Sequence, residues 1–274
     1  KIHTIYNQTL TRTGRLSSIE PNLQNIPVRN EYEKSIRKVF VPSKDSIIVS
    51  GDYSQIELRI LAHVSKCKHM IDAFNSGEDL HSSTAAKIYN VDINDVTKDM
   101  RRMAKAVNFG IVYGMSPWGL AEELNITTFE ANDFINRYFM IYPEVKDYLE
   151  EIVNNTKQTG YTETIFGRRR YMPEINSSNG ALRQFAERTA KNAPIQGAAA
   201  DVIKIAMIAV DKKFKELSLE SKLIAQVHDE LVVDTKNSEV EVVKKILKEI
   251  MEGVVNLDVV LEASLSWGDN WDMK

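Results

Sequence analysis

One short stretch, residues 47–59, constrains the fold of this chain more than any other, because it joins a buried strand, a carboxylate and a helix without a linker. Its first three residues are β-branched and apolar, as expected of a buried strand. Asp52 ends the apolar run, and Ser54 and Glu57 have the spacing of a helix-capping box. We therefore expect Asp52 at the carboxyl end of a strand, where a side chain can serve a binding cleft. The alternative is that Asp52 is only a turn residue and Glu57 only a cap.

Composition places the chain among ordinary globular proteins. Its 274 residues are 43% hydrophobic and 27% charged, enough for one large core or two lobes. No run approaches the ~18 apolar residues of a membrane span, and the N-terminus lacks a signal-peptide pattern. A single cysteine, Cys67, cannot form an internal disulfide. We therefore expect a cytoplasmic protein with no membrane partner.

The net charge of −3 hides an uneven distribution. Residues 1–40 carry seven basic and three acidic groups, and residues 157–191 carry the same numbers. Residues 215–274 carry thirteen acidic and seven basic groups. Basic segments beside an acidic one suit a phosphate-binding surface next to a cation site, although a solvated mixture of faces has the same composition.

A helix predicted over residues 97–113 carries an unusual stripe. Arg101, Lys105, Phe109 and Tyr113 are each four residues apart, so their side chains share one face. Two cations followed by two aromatic rings suit a ligand with a triphosphate at one end and a stacking base at the other. The alternative is an exposed basic turn followed by core aromatics.

Two β-rich runs over residues 222–234 flank His228, Asp229 and Glu230, which predicts a hairpin with an acidic tip. Adjacent carboxylates repel each other and add nothing to a core, so without a cation their pairing is unfavourable. The hairpin is therefore a second candidate for metal binding, and an exposed acidic turn is the alternative.

The remaining pattern predicts further helices, strands and polar positions. Asp79 is a predicted N-cap, which puts His81 in the first turn of a helix, where it either faces an anion or is a plain surface residue. Arg188, Asn192 and Gln196 are again four apart on a helix over residues 180–216 that we expect to bend or break at 194–197. The other predicted elements are a strand at 36–41, a helical segment at 56–76, helices at 118–141, 144–158 and 239–252, a hairpin at 160–172 and a last strand at 261–267.

Taken together, these elements resemble the polymerase core of family A DNA polymerases, the bacterial DNA polymerase I type. The resemblance extends over essentially the whole chain, in order and spacing. The matching strings are TGRLSSIEPNLQNIPVR (Thr13–Arg29), DYSQIELR (Asp52–Arg59), RRMAKAVNFGIVYG (Arg101–Gly114), PIQGAAAD (Pro194–Asp201) and VHDE (Val227–Glu230).

The resemblance implies an α+β right-hand architecture: a palm of antiparallel sheet backed by helices, and a mostly helical fingers subdomain. Residues 1–62 would form the first part of the palm, with a loop that contacts primer and template. Residues 63–175 would form the fingers, and residues 176–274 the second part of the palm with the His228–Glu230 hairpin.

The resemblance also implies template-directed addition of deoxynucleotides to a primer 3′-hydroxyl, with release of pyrophosphate. Asp52, Asp229 and the backbone carbonyl of Tyr53 would hold a pair of Mg²⁺ ions, replaceable by Mn²⁺, with Glu230 in support. Lys105 would give a proton to pyrophosphate, and Glu57 would exclude a ribose 2′-hydroxyl. The implied nucleotide-binding residues are Gln55, Glu57, His81, Arg101, Lys105, Phe109 and Tyr113. The implied DNA contacts are Arg15, Arg188, Asn192, Gln196 and His228.

Nothing in the chain resembles the thumb or the nuclease domains of such enzymes. We therefore expect a fragment of a larger replication or repair polymerase that acts at the nucleoid, with the thumb and nuclease domains on a separate chain or a missing N-terminal segment. The alternative is a thumbless fragment that binds nucleotide or primer–template without turnover. A two-metal nuclease has no use for the triphosphate stripe, and Glu57 disfavours an RNA polymerase.

Overall fold

The computed structural model describes residues 1–27 and 35–273. The end of the Thr13–Arg29 string, residues 28 and 29, lies outside the described residues. The strands are β1 (Ile5–Asn7), β2 (Ser17–Ile19), β3 (Ser46–Tyr53), β4 (Tyr161–Glu163), β5 (Arg169–Tyr171), β6 (Lys222–Val227), β7 (Glu230–Lys236) and β8 (Ala263–Gly268). The α-helices are α1 (Ile56–Ser65), α2 (Lys68–Asn75), α3 (Leu80–Tyr89), α4 (Lys98–Val112), α5 (Pro117–Leu124), α6 (Thr128–Ile141), α7 (Pro143–Thr159), α8 (Gly180–Glu216) and α9 (Val240–Gly253).

The chain divides into two compact units. Unit 1 comprises Lys1–Ile56, Ala199–Asn256 and Leu261–Lys274, and unit 2 comprises Glu57–Ala198 and Leu257–Val260. Unit 1 contains the larger sheet and unit 2 is mostly helical. Helices and an antiparallel sheet in one chain confirm the predicted α+β class. The names palm and fingers, with boundaries after residues 62 and 175, stay predictions.

Unit 1 is built on a four-stranded antiparallel sheet in the order β6-β7-β3-β8. The central strand β3 is the apolar run at residues 46–53, and it continues through Gly51 and Asp52 instead of ending before them. The predicted hairpin is confirmed, since β6 and β7 pair on either side of the turn at His228 and Asp229.

Helix α9 packs closely on β3 because Gly51 has no side chain. A Cβ at Gly51 would lie 2.7 Å from Met251 Sδ. Two residues further along β3, the Tyr53 hydroxyl donates a hydrogen bond of 2.7 Å to the Met251 carbonyl. Burial raises the pKa of Tyr53 far above its usual range, so the phenol stays protonated and able to donate. The strand that carries Asp52 is thus fixed from behind.

The strand predicted over residues 36–41 is wrong, because Ile36–Val39 forms a 3₁₀ helix. The Phe40 amide donates to the Arg37 carbonyl at 3.2 Å, which closes a local turn. The Phe40 ring meets Trp271 edge to face at 5.4 Å, and the Trp271 amide donates to the Phe40 carbonyl. Local turns and one aromatic contact hold this segment. The β-branched residues at 36–41 favour a strand and give no sign of either.

In unit 2 the helix starts follow the predicted caps at two positions. The Asp79 side chain accepts from the Ser82 amide before α3, and Thr97, the first residue of the helix predicted over 97–113, caps α4 by accepting from the Met100 amide. Helix α1 begins at Ile56, two residues after Ser54, and Ser54 Oγ lies 3.3 Å from Ser264 Oγ; the capping box of Ser54 and Glu57 stays a prediction.

The helix predicted over residues 118–141 is two helices, α5 and α6. Asn125 adopts a left-handed conformation with φ of 54° and ends α5. Thr127 and Glu130 then form a complete capping box at the start of α6. The segment predicted at residues 56–76 is likewise divided into α1 and α2, with Lys66 at φ of 55° between them.

Helix α8 runs from Gly180 to Glu216 without the predicted break, passing through Pro194. A proline removes one backbone hydrogen bond, and this helix keeps its helical course around the loss. Its first half packs on α7 in a cluster of buried residues that includes Val153, Ala186 and Ala190. Among the described helices, α8 alone is long and apolar enough to cross a membrane, and 67% of its most apolar stretch is buried inside the protein, as in a core helix.

Candidate functional site

The two predicted metal ligands of unit 1 are brought together by strand pairing. Asp52 lies opposite Glu230 in the β3–β7 register. At the next residue, the Tyr53 amide donates to the Asp229 carbonyl at 3.1 Å. Asp52 is therefore at the end of β3 and Asp229 in the adjoining turn, with the Tyr53 backbone between them.

Electrostatics around Asp229 show how closely four predicted site residues lie. Burial raises the pKa of Asp229, the positive charge of Arg15 lowers it, the negative charge of Asp52 raises it, and His228 lowers it. The net pKa of Asp229 is above its usual value. A second carboxylate and incomplete solvation thus disfavour the ionised form, and a bound cation would reverse that preference.

The donor set fits a hard divalent cation. The Glu230 side chain is buried, and in the described part of the chain its Oε1 has no hydrogen-bond partner. No group of three or more His, Cys, Asp or Glu side chains within residues 1–27 and 35–273 forms a metal-binding cluster. Mg²⁺ is usually held by one or two carboxylates, with water and substrate phosphates completing its shell, so the Asp52–Asp229 pair suits it.

A polar network missed by the sequence reasoning holds the hairpin turn. The buried Gln226 side chain donates to the His228 carbonyl. The Tyr6 hydroxyl donates to the Gln226 carbonyl and accepts from the Gln226 amide, both at 3.0 Å. Gln24 Nε2 lies 3.1 Å from Gln226 Oε1. The available signal was a glutamine inside the apolar run of β6.

The cationic and aromatic stripe of α4 is present in unit 2. The side chains of Arg101, Lys105 and Tyr113 are exposed and Phe109 is half-buried. The Phe109 and Tyr113 rings are stacked, with centroids 6.3 Å apart and planes 15° apart. The buried face of the same helix is formed by Ala104, Val107, Asn108 and Ile111. The cationic half of the stripe and Tyr113 thus face solvent, and Phe109 is partly covered.

Arg101 is held by an ion pair that the sequence did not predict. Its Nε lies 2.6 Å from Asp79 Oδ2 and its Nη2 lies 3.2 Å from Asp79 Oδ1. Burial opposes ionisation of Asp79, but hydrogen bonds from Arg101 and Ser82 outweigh it and lower the Asp79 pKa to about 2. Both partners remain substantially exposed. Such a pair contributes about 0–1 kcal/mol, so a triphosphate can compete for Arg101.

His81 is buried, in contrast to the surface histidine considered from its sequence position. Its side chain is 2% exposed, and its ring lies 5.6 Å from the Phe109 ring. Burial lowers the pKa of His81 to about 4, with Asp79 opposing that effect and Arg101 and Lys105 adding to it. The ring is therefore neutral at physiological pH.

The two remaining nucleotide-binding candidates flank the start of α1. Gln55 has a positive φ of 52° and is half-buried. Glu57 lies in the first helical turn and is buried. The sharp turn at Gln55 directs the chain from β3 into α1, which puts Asp52 and Glu57 on either side of one bend.

The polar stripe of α8 is present, but one member already has a partner. Arg188 is exposed, while Asn192 and Gln196 are half-buried. Asn192 Nδ2 donates to the Val112 carbonyl at 3.2 Å, in the last turn of α4. Gly114 lies two residues after Val112, and a Cβ there would lie 3.1 Å from the Arg188 carbonyl oxygen. The stripe therefore also holds the C-terminal end of α4.

Comparison with known proteins defines the class. The model of DNA polymerase family A matches residues 1–273, and the chain belongs to that family. DNA polymerase I of Geobacillus stearothermophilus is 53% identical over 272 residues, which are 99% of this chain and 31% of that protein. DNA polymerase I of Bacillus subtilis (strain 168) is 52% identical over 272 residues, again 99% of this chain and 31% of that protein.

A solved structure gives the same result for the fold. It is described as the POL domain of Pol1 from M. smegmatis in complex with DNA primer-template and dNTP. It matches with a TM-score of 0.96 and 48% identity, covering 100% of this chain and 48% of that one. The chain spans about half of that solved chain and about a third of the length of the curated relatives.

Proposed function

We propose that this chain carries the nucleotidyl-transfer chemistry of a DNA-directed DNA polymerase. Its substrates would be deoxynucleoside triphosphates and primer–template DNA. Family membership supports the reaction class, and the solved relative's title names both substrates. The observation that carries the proposal is the pairing of β3 with β7, which puts Asp52 beside Asp229.

In unit 1, Asp52, Asp229 and the Tyr53 carbonyl would hold magnesium or manganese, and Glu230 would support them. Bound divalent ions would stabilise charge on the attacking and leaving oxygens of an in-line displacement. Arg15 and His228, which lie near Asp229, would contact DNA at the primer end. The buried network at Gln226 would keep the turn rigid.

In unit 2, the cationic half of the stripe would bind the triphosphate. Arg101 and Lys105 would neutralise its charge, and Lys105 would protonate the departing pyrophosphate. His81 would donate a hydrogen bond to a phosphate oxygen. Phe109 and Tyr113 would stack near the incoming base and the template.

The residues at the bend would check the sugar, and those of α8 would check the duplex. We assign Glu57 to exclusion of a ribose 2′-hydroxyl and Gln55 to nucleotide binding. Arg188, Asn192 and Gln196 would contact DNA, where acceptors common to all base pairs allow a check of pairing without reading sequence. For Asn192 that role requires release from the Val112 carbonyl.

Primer extension tests the proposal. A labelled primer on a template is incubated with the protein, the four deoxynucleotides and Mg²⁺, and the products are sized. We expect extension by the unaltered chain in Mg²⁺, none after chelation, and loss of roughly 10³-fold in rate for Asp52→Asn. Asp211→Asn is the matched control, because it makes the same substitution at an exposed aspartate. Asp211 pairs with Lys215 within helix α8. Full activity of Asp52→Asn would overturn the site assignment.

The alternative of binding without turnover needs its own measurement. The same assay is run with this chain alone and with a chimera that adds, at its N-terminus, the preceding residues of the Bacillus subtilis relative. Extension by the chimera but not by this chain, together with nucleotide binding by both, would mean that the chemistry needs the added segment. Extension by neither, with binding retained, would favour the binding function.

We propose the cytoplasm as the compartment, where Cys67 stays reduced.

A further inference from the structure

A buried amide of α4 makes a hydrogen bond that the chemistry described so far does not use. Asn108 is fully buried, on the face of α4 opposite the solvent. Its Nδ2 lies 3.0 Å from Nδ1 of His81. Burying an amide without partners is unfavourable, so a fully buried asparagine indicates a position where its hydrogen bonds matter.

The Asn108 amide is itself held by the hydroxyl of Thr84. Asn108 Nδ2 lies 3.3 Å from Thr84 Oγ1, and Thr84 Oγ1 lies 3.4 Å from Asn108 Oδ1. The Thr84 hydroxyl is 2.9 Å from the hydroxyl of Tyr142. Burial raises the pKa of Tyr142 to about 12, which keeps that phenol protonated. A chain of buried polar groups from α3, α4 and the start of α7 thus fixes the plane of the Asn108 amide.

The chemistry of the amide determines which ring nitrogen of His81 carries the proton. A side-chain NH₂ group donates and does not accept, so the Nδ1 atom that faces it must be unprotonated. A neutral imidazole then carries its hydrogen on Nε2. Since Asn108 occupies Nδ1, Nε2 is the nitrogen left to face a ligand.

We infer that Asn108 is a positioning residue that sets the tautomer of His81, so that the ring presents an Nε2–H donor to the triphosphate. The inference rests on the proposed function, which assigns His81 to a phosphate oxygen. Asn108 touches neither substrate nor metal in this scheme and acts through the histidine. The charged side chains that act on the ring are Asp79, which favours the protonated form, and Arg101 and Lys105, which oppose it. Burial keeps the ring neutral among them, so it donates a hydrogen bond without adding a third positive charge.

The tautomer is measured directly, without any enzyme activity. The protein is labelled with ¹⁵N-histidine, and His81 is assigned by loss of its signals in His81→Gln. At pH 7 we expect an unprotonated Nδ1 and a protonated Nε2. A proton on Nδ1, which the opposite orientation of the Asn108 amide would require, overturns the inference.

Asn108→Asp provides the informative variant, because a carboxylate accepts and does not donate. We expect it to move the proton to Nδ1 or to charge the ring, and to raise the KM for deoxynucleotide about 10-fold or more, with a smaller change in kcat. The KM should then vary with pH between 5 and 8 more steeply than that of the unaltered protein. Thr84→Val is the comparison variant: it removes the hydroxyl that holds the amide but leaves the Asn108 donor, so it should raise the KM less than Asn108→Asp does. An unchanged KM and pH profile in Asn108→Asp would overturn the inference even if the variant is less stable.

A titration with deoxyadenosine triphosphate and Mg²⁺ separates this inference from the proposed function. A shift of the His81 Nε2 signal on binding supports both. Binding that leaves Nε2 unmoved but is weakened by Arg101→Ala overturns the role of Asn108 while the proposed function stands. No binding at all counts against both.

Discussion

The carboxylate pair of unit 1 and the cationic stripe of unit 2 are made in opposite ways. Asp52 and Asp229 are far apart in sequence and meet only because two strands pair in one register. Arg101, Lys105, Phe109 and Tyr113 are neighbours on a single helix, and their alignment needs no tertiary contact. The first arrangement is partly buried and electrostatically unfavourable without a cation, whereas the second is solvent-exposed. The proposed chemistry thus combines a site built by topology with a site built by periodicity.

The variant with the largest expected effect, Asp229→Asn, disables the unit 1 site and stabilises the fold. Asp229→Asn removes a carboxylate whose pKa is raised by burial and by Asp52. We expect the primer-extension rate to fall roughly 10³-fold while the melting temperature rises, because an unfavourable charge has been removed. Rates are followed by gel and melting by circular dichroism. A melting temperature of Asp229→Asn below that of the unaltered protein would contradict the electrostatic explanation.

The second prediction is that acid affects the two units in opposite directions. The folded-state pKa of His81 is about 4 against the usual 6.5, so its neutral form contributes stability above pH 6.5. That contribution, about 3 kcal/mol at ~1.36 kcal/mol per unit, is lost as the pH falls from 6.5 to 4. The folded-state pKa of Asp229 is raised, so protonation in acid relieves unit 1. The stability contributed by ionised Asp79, whose pKa is about 2, is lost only at lower pH.

Hydrogen exchange resolved by segment checks this prediction. After correction for intrinsic rates, protection of α3 and α4 should decrease between pH 7 and 4.5, whereas that of β3 and β7 should hold or increase. His81→Gln is the matched variant, and it should flatten the pH dependence in α3 and α4 only. A uniform loss of protection in both units would refute the assignment.

The smallest expected effect concerns the ion pair that holds Arg101. Asp79→Asn removes the charge but keeps an oxygen that can cap α3, since asparagine is also a good N-cap. Freed from the pair, Arg101 should bind triphosphate slightly better, and the KM for deoxynucleotide should fall by up to about 5-fold. Asp79→Ala, which also loses the cap, should in addition cost about 1 kcal/mol of stability. A raised KM in Asp79→Asn would show that the pair orients Arg101 productively.

The sequence predicted best where the signal is local. The caps at Asp79 and Thr97, the face of α4 and the β6–β7 hairpin all follow from residues within a few positions of each other. The division at Asn125 was also present in the sequence, since Thr127 and Glu130 have capping-box spacing, but the longer apolar pattern concealed it. The α8 stripe and its uninterrupted helix show that one proline does not end a helix of this length.

The rest depends on contacts between distant residues. The ion pair of Asp79 with Arg101 and the bond from Asn108 to His81 join different helices, and no spacing rule connects them. The nearness of Asp52 to Asp229 came from family resemblance, because a strand end and a hairpin tip do not by themselves specify which strands pair. Burial of His81 was likewise invisible, since a histidine in a first turn is exposed or covered according to what packs on it.

The central place of β3 has a consequence for how the protein is made. Both strands that flank it, β7 and β8, come much later in the chain. During synthesis β3 therefore leaves the ribosome with its apolar face and both edges without partners until the C-terminal strands follow. Long-range pairing of this kind is slow, and open strand edges invite association with other chains. The strand that bears Asp52 thus depends on protection until β7 and β8 have been synthesised.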